Sequence, residues 1–315
     1  MSLKTITKFV CIVISVCTVW SCANYRFGSG EVKIDPNTAA FDEPVILARI
    51  ESPEITESSG IAVSSCRNDT FWTHNDSGDG PFVYAFDSLG KSLGIWKIPN
   101  ATNFDWEDMA EIKAADGRCI LYIGEIGDNE LKRDVHVIYR IEEPFLSDES
   151  ASSSREKPLF SQNAEVLKFN YPNGRNNAES LLVHPVSGEM YVVTKRSKGS
   201  AEVFHLNPEF GRDEIQTASK IDEISLPDTP SGVVTGGDIS PDGKHLVLCD
   251  YYAGFEFTLP QNAKRFDEIW NQRPVMVNLG ARLIGEAVAY GATSDILFAT
   301  SEGSNAPLIK VNRKN

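Results

Sequence analysis

Short apolar segments alternate with polar turns along most of this chain, and the pattern recurs five times. Each recurrence starts with small or acidic residues that lead into an apolar strand, and a turn and a second strand rich in β-branched and aromatic residues follow. Such residues favour strands, and Asp-Gly or Ser-Gly pairs favour tight turns. The five recurrences begin with residues 58–63, 106–111, 178–183, 236–240 and 285–290.

Third and fourth strands follow in the same order within the units. Equivalent positions 59, 107, 179, 237 and 286 are separated by 48, 72, 58 and 49 residues. Units of four short antiparallel strands at such spacing are typical of β-propellers. We therefore predict an all-β, five-bladed propeller over residues 43–315, and six blades stay open as the alternative. The last unit ends before its fourth strand, so residues 45–50 are predicted to complete that blade and close the ring.

The first 42 residues indicate that the protein is exported, and we do not assign them to the propeller. Lys4 and Lys8 precede an apolar run at 9–20, which is too short to span a hydrocarbon core of about 30 Å and fits a signal peptide. The run ends in Val-Trp-Ser-Cys, which resembles a bacterial lipoprotein box and predicts a signal peptide at 1–21, lipidation of Cys22 and a tether at 22–42. The expected location is the cell envelope of a bacterium, anchored to a membrane by the lipid. An ordinary cleaved signal, leaving a periplasmic or secreted protein, is the alternative.

Composition narrows the classes of partner. The formal charge is −14 and 41% of the residues are hydrophobic, which indicates a globular chain and argues against nucleic-acid binding, because phosphates need a basic face. We expect a monomer. Cys66, Cys119 and Cys249 remain after the signal segment. Three buried or half-buried thiols are favoured, with a Cys66–Cys119 disulfide as the alternative.

Acidic residues recur at one end of the predicted units. In a propeller the first strand of each blade lines the channel and the second runs back, so the start of one and the end of the other meet at the same pole. Clustered carboxylates repel unless a cation or protons compensate, and hard oxygen ligands suit Ca²⁺ or another divalent cation. The predicted metal ligands are Asp76, Asp79, Glu107, Asp108, Glu125, Asp128, Glu179, Asp238 and Glu286. The alternative is that these groups cap loops, pair with bases or accept backbone N–H bonds.

Four residues near this pole are candidates for chemistry. His74 or Glu107 could act as a general base, and Lys195 and Arg196 could hold an anionic group. Structural roles are the alternative for each of them. Residues 75–80 resemble the first half of an EF-hand loop, but Phe86 stands where the bidentate Glu is required, which excludes an EF-hand.

Several short motifs are shared with known propellers. They include Ser-Gly-Ile-Ala at 59–62, His-Asn-Asp-Ser-Gly-Asp at 74–79, Asp-Trp-Glu-Asp at 105–108, Gly-Asp-Asn at 127–129, Thr-Lys-Arg at 194–196 and Gly-Glu-Ala at 285–287. Over roughly residues 53–302 the chain resembles a family of exported bacterial β-propeller proteins of unestablished function, and more distantly the phytase-like and esterase-like propellers. The distant resemblance implies calcium at the channel mouth and hydrolysis of phosphate or carboxylic esters.

Three functions are therefore carried forward from the sequence. The first is a metal-dependent hydrolase of phosphate or carboxylic esters. The second is a non-catalytic propeller that binds a small anionic ligand, a glycan, a peptide or a partner protein at the same mouth. The third is a glycoside hydrolase that uses two of the carboxylates.

Overall fold

The computed structural model describes residues 39–226 and 231–314, which are almost entirely strands and turns. The predicted signal peptide, Cys22 and most of the predicted tether lie outside the described residues. Within the described ranges, no helix has the length and apolar character needed to cross a bilayer. Apart from strands, the chain forms short 3₁₀ helices at Ser150–Ser152 and Phe266–Asn271.

Twenty-two strands can be followed through the described residues. Those of the first half are β1 (Val45–Arg49), β2 (Ser58–Val63), β3 (Phe71–Asn75), β4 (Phe82–Phe86), β5 (Ser92–Lys97), β6 (Trp106–Lys113), β7 (Cys119–Glu125), β8 (His136–Glu142), β9 (Leu159–Phe160) and β10 (Glu165–Asn170). Those of the second half are β11 (Ala178–Val183), β12 (Met190–Thr194), β13 (Ala201–Leu206), β14 (Ile215–Thr217), β15 (Ser219–Ile224), β16 (Gly236–Ile239), β17 (His245–Cys249), β18 (Ala253–Thr258), β19 (Val275–Asn278), β20 (Val288–Tyr290), β21 (Ile296–Ala299) and β22 (Pro307–Asn312).

These strands form five separate sheets, one for each predicted repeat. Blades 1 to 4 begin with β2, β6, β11 and β16, and blade 5 has the order β20-β21-β22-β1. The first strands of neighbouring blades contact one another around the ring, including β2 with β20. The five-bladed propeller is confirmed, and the six-bladed alternative is wrong.

The ring is closed by the N-terminal strand, as predicted. Strand β1 pairs antiparallel with β22, with Val45 opposite Lys310 and Arg49 opposite Pro307. Strand β1 thereby becomes the outer strand of the blade that the C-terminal segment begins. Closure of this kind joins the two ends of the chain in one sheet, so no blade is left with three strands.

Two outer strands were not predicted. Strand β9 adds parallel to β5 at the edge of blade 1, and β14 adds parallel to β10 at the edge of blade 2. Both are only two or three residues long, too short for a recognisable pattern. They cover strand edges that would otherwise present unpaired N–H and C=O groups.

The hydrophobic core lies mainly between the blades. One buried cluster joins blades 1 and 2 through Trp72, Trp96 and Trp106. A second joins blades 3 and 4 through Tyr191, Phe255 and related side chains. Each blade alone exposes an apolar face, and stacking buries it against the next blade.

A disulfide links Cys66 to Cys119, with their Cα atoms 6.0 Å apart. The expectation of three free thiols is therefore wrong, and only Cys249 is a free, buried thiol among the described residues. Cys66 lies in the turn between β2 and β3, and Cys119 begins β7. The two cysteines belong to adjacent blades, and the packing of blade 1 on blade 2 brings them together.

Candidate functional site

Three acidic or hydroxyl side chains reach one end of the channel through β-bulges. The pairing register of the first strand shifts between Ser58 and Gly60 in blade 1, between Trp106 and Asp108 in blade 2, and between Ala178 and Ser180 in blade 3. The residues at the shifts are Ser59, Glu107 and Glu179. Bulges are common beside functional sites because they re-aim a side chain. We call this end of the channel the acidic mouth, defined by Ser59, Asp76, Asp105, Glu107, Glu179, Lys195 and Glu286.

Blades 1 and 2 supply a trio of carboxylates to the acidic mouth. Oxygen atoms of Asp76, Asp105 and Glu107 all lie within 4.8 Å of one another. Asp76 directly follows β3, whereas Asp105 and Glu107 lie at the start of β6. Gly127 packs directly against the trio. A Cβ atom at this position would lie 2.1 Å from Glu107 Oε1 and 2.5 Å from Asp105 Oδ2.

The opposite side of the mouth is organised around one lysine. Lys195 Nζ lies 2.7 Å from Glu179 Oε1 and 3.8 Å from Glu286 Oε1. Ser59 Oγ is 3.3 Å from Glu286 Oε2 and donates to the Glu107 carbonyl at 2.8 Å. Glu179 is 2% exposed, and its buried Oε2 has no hydrogen-bond partner. The mouth therefore holds a carboxylate oxygen that is ready to accept a bond from a ligand or to bind a cation.

Burial and mutual repulsion shift the pKa values in the mouth upwards. Burial, then the charge of Asp105, raises the pKa of Asp76 to about 7, and burial with the charges of Glu179 and Glu125 raises the pKa of Asp105 to about 6. The pKa of Glu107 is raised well above its usual value by burial and by Glu179. Lys195 lies among these carboxylates, and its pKa is raised well above its usual value. Burial and mutual repulsion thus oppose full ionisation of these carboxylates, and a bound cation would favour it.

Three of the predicted metal ligands lie close to this mouth but have local partners. Asp79 accepts the Tyr84 hydroxyl at 2.6 Å and pairs with Arg155 at 2.8 Å. Glu125 pairs with Arg133 and accepts the N–H groups of Phe104 and Asp105. Asp128 accepts the N–H groups of Lys132 and Arg133. In these three cases the geometry is that of loop capping, the alternative raised from the sequence.

Two further predicted ligands lie deeper in the channel, away from the trio. Asp108 Oδ2 accepts the N–H of Leu181 at 2.9 Å and of Gly237 at 3.2 Å, so it joins the first strands of three blades. Asp238 Oδ2 accepts the N–H of Tyr290 at 2.8 Å, joining blade 4 to blade 5.

The placement of Asp238 differs from the expectation because blade 4 has no bulge. Gly236 pairs with Cys249 and the register continues unbroken through Asp238 opposite Val247. In blades 2 and 3 the register shift occurs before the corresponding position. Asp238 therefore matches Met109 and Leu181 rather than Asp108, with which the sequence aligns it, and this moves it one position further along the channel and away from the mouth.

Two of the four residues considered for chemistry lie away from the mouth carboxylates. Arg196 pairs with Glu202 and donates to Asn176 Oδ1 at 2.9 Å, in a network on the outer strands of blade 3. His74 is buried between Trp106 and Gly60, with Nδ1 3.0 Å from the Asn75 carbonyl and no partner at Nε2. Burial lowers the pKa of His74 to about 4. Its surroundings are those of a core histidine.

The site also includes residues that were not predicted as ligands. Asp105 is the third carboxylate of the trio, and the absence of a side chain at Gly127 leaves space beside Asp105 and Glu107. The centre of the Tyr251 ring lies 5.4 Å from Lys195 Nζ. The Asp-Trp-Glu-Asp motif contains Asp105 two residues before Glu107, which is the signal that could have identified it. The position of Tyr251 after β17 gave no comparable signal.

Comparison with known proteins supplies little beyond this geometry. No family model matches the chain, and no curated protein matches it. Among solved structures, the chain is similar to the crystal structure of Chaetomium thermophilum Raptor at 10% identity and a TM-score of 0.46, over 89% of this chain and 30% of that chain. The chain spans less than a third of the Raptor chain, and at this similarity nothing about function is transferred.

Proposed function

We propose that this protein is an exported, lipid-anchored β-propeller whose acidic mouth binds a divalent cation, Ca²⁺ fitting best, and through it an anionic or glycan ligand. The observation that carries the proposal is the trio of Asp76, Asp105 and Glu107, whose oxygens lie within 4.8 Å of one another. Lys195 is engaged by Glu179 and Glu286 on the other side of the mouth. Among the described residues, no basic side chain forms an ion pair within 4.0 Å with Asp76, Asp105 or Glu107.

The residues present fit a hard cation. The donors are all carboxylate oxygens, which Ca²⁺ prefers, and three carboxylates can supply up to six oxygens. Gly127 leaves the space between Asp105 and Glu107 open, where any side chain would intrude. The unpartnered Oε2 of Glu179 is a further oxygen in the same mouth.

Metal-dependent hydrolysis of phosphate or carboxylic esters is the second candidate. Lys195 in the same mouth favours it, because a positive side chain can hold the anionic group of an ester beside a bound cation. A bound cation would polarise the ester group. Lys195 would orient the anionic group, a role for which Arg196 lies too far out.

Cation binding can be tested by the thermal stability of the mature protein. A ligand that binds only the folded state stabilises it by about 2.7 kcal/mol at a hundredfold excess over its Kd, so a chelator should lower Tm and Ca²⁺ should restore it. Glu107→Gln should blunt the response. Asp242→Asn, in an exposed turn at the other pole, is the matched control and should leave it intact.

A direct readout uses Tb³⁺ as a substitute for Ca²⁺. The Trp106 side chain is fully buried between Asp105 and Glu107 in the chain, so excitation of tryptophan should sensitise Tb³⁺ luminescence, and Ca²⁺ should quench it by competition. Absence of both the luminescence and the Tm response would contradict the proposal. A screen of chromogenic phosphate and carboxylic esters, with and without chelator, then separates a hydrolase from a binding propeller.

Export and lipid anchoring rest on separate support. The lipoprotein-like segment ends at Cys22, and the Cys66–Cys119 disulfide is typical of an oxidising compartment. Cys22→Ala should release the protein from membranes. Mass spectrometry that finds an unmodified N-terminus downstream of Cys22 would contradict the anchor and leave the cation site unaffected.

A further inference from the structure

A cavity lies at the end of the channel opposite the acidic mouth. Its volume is about 240 Å³, and all five blades contribute to its walls at the ends of their first strands. We call it the far pocket, defined by Val63, Ser65, Glu111, Ile112, Lys113, Val186, Asp238, Ile239, Pro241 and Tyr290. The walls combine apolar side chains with two carboxylates, and the exposed Lys113 also lines the pocket.

The two carboxylates, Glu111 and Asp238, come from different blades. Glu111 Oε2 accepts the Ser65 hydroxyl at 2.7 Å, and the two oxygens of Asp238 each accept one backbone N–H at 2.8 Å. A carboxylate has about four acceptor positions, so both retain capacity. Neither forms an ion pair within 4.0 Å with a base of the described residues.

The electrostatics of the pocket favour a cation. Burial raises the pKa of Glu111 to about 7 even though Lys113 acts to lower it, and burial raises the pKa of Asp238 to about 7 with a further contribution from Glu111. The charge of Glu111 therefore acts on Asp238 within the cavity. A positive charge between them would be held by charge-assisted hydrogen bonds.

We propose that the far pocket binds a small organic ammonium ion, with the charged nitrogen between Glu111 and Asp238 and a short alkyl group against Val63, Ile112 and Ile239. A bare Ca²⁺ fits less well, because it takes six to eight oxygens and the far pocket offers two carboxylates with apolar side chains beside them. An anion would meet two carboxylates. An alkylammonium matches both the charge and the apolar lining.

The experiment measures binding of n-butylammonium to the mature protein by calorimetry and by the rise in Tm. The matched control ligand is n-butanol, which has the same alkyl chain without the charge. We expect butylammonium to bind with a Kd on the order of 1 mM and butanol to bind more weakly by about tenfold or more, since hydrogen bonds between charged groups are the stronger ones. Equal binding of both, or of neither, would overturn the proposal.

Two variants locate the site. Glu111→Gln keeps the shape of the pocket and should weaken butylammonium binding about tenfold or more, whereas Glu107→Gln in the acidic mouth should not change it. An unchanged affinity in Glu111→Gln would overturn the assignment to the far pocket. The Tb³⁺ response of Glu111→Gln should equal that of the wild type, so failure of this proposal and failure of the cation proposal are distinguishable.

Discussion

The carboxylates of Asp105 and Glu107 can occupy their positions because residue 127 is a glycine. Its backbone does not adopt a positive φ, so a Cβ atom there is excluded only by contact with the trio. Such an atom would lie 2.1 Å from Glu107 Oε1 and 2.5 Å from Asp105 Oδ2, far inside van der Waals contact. Gly127→Ala should therefore displace the two carboxylates and abolish the Tm response to Ca²⁺, as measured by thermal melts with and without chelator. A wild-type Ca²⁺ response in a folded Gly127→Ala protein would show that the trio does not bind the ion.

Asp76 gives the acidic mouth a dependence on pH whose sign follows from its pKa. The pKa is about 7 in the folded state and 3.8 in an unperturbed chain, so the folded protein binds more protons between these values. Stability from this group therefore falls as pH rises from about 4 to 7, and the full cost applies above 7. In chelator, Asp76→Asn should show a shallower fall in Tm between pH 5 and 8 than the wild type. Identical slopes would contradict the raised pKa.

Individual residues at the mouth were only partly predictable from the sequence. Glu107 and Glu179 lie at the mouth because each occupies a bulge. Asp238, which the sequence aligns one position after them, lies deeper than expected because blade 4 has no bulge. A bulge moves every following residue by one position, and nothing in the local sequence marks it. Asp79, Glu125 and Asp128 are at or near the mouth, but their hydrogen bonds to neighbouring loops are set by tertiary packing.

At the level of elements, β1 is the strand whose removal tests the closure of the ring. It contributes backbone pairing to β22, and the buried Ile50 that follows it donates its N–H to Ala306. A chain that starts at Pro53 should lose this pairing, expose the β22 edge and fold poorly or melt well below the wild type. A chain that starts at Ala39 is the control, because it retains all of β1. If both chains melt like the mature protein, β1 is dispensable.

Elements with a local pattern were predicted, and elements without one were not. The strands of each blade alternate with turn residues, so the sequence predicted five blades and the closing strand, with six blades left open as the alternative. Strands β9 and β14 pair in parallel with distant edges over two or three residues, and such pairing depends on contacts that only the folded ring provides. The polar segment at 147–155 likewise has no repeat pattern, and it contains the short 3₁₀ helix Ser150–Ser152, whose Ser150 is buried.

For the whole molecule, the disulfide is a covalent cross-link between two blades that are otherwise joined by packing, hydrogen bonds and an ion pair. Cys66 and Cys119 enclose a sequence separation of 53 residues, and closing a loop of that size restricts the unfolded chain by about 4 kcal/mol in the chain-entropy estimate. Reduction should therefore lower the free energy of unfolding by an amount of that order, measured by urea denaturation with and without reductant. Because Cys66 is exposed, the reductant has access to the bond.

The double variant Cys66→Ser/Cys119→Ser provides the control for this prediction. It should match the reduced wild type and should not respond further to reductant, since Cys249 is the sole remaining thiol of the described residues and is buried. Blades 1 and 2 also supply Asp76, Asp105 and Glu107, so looser packing between them should weaken the Tb³⁺ signal along with stability. A fully reduced protein with an unchanged urea midpoint would show that inter-blade packing alone holds the ring, and the Tb³⁺ signal should then also be unchanged.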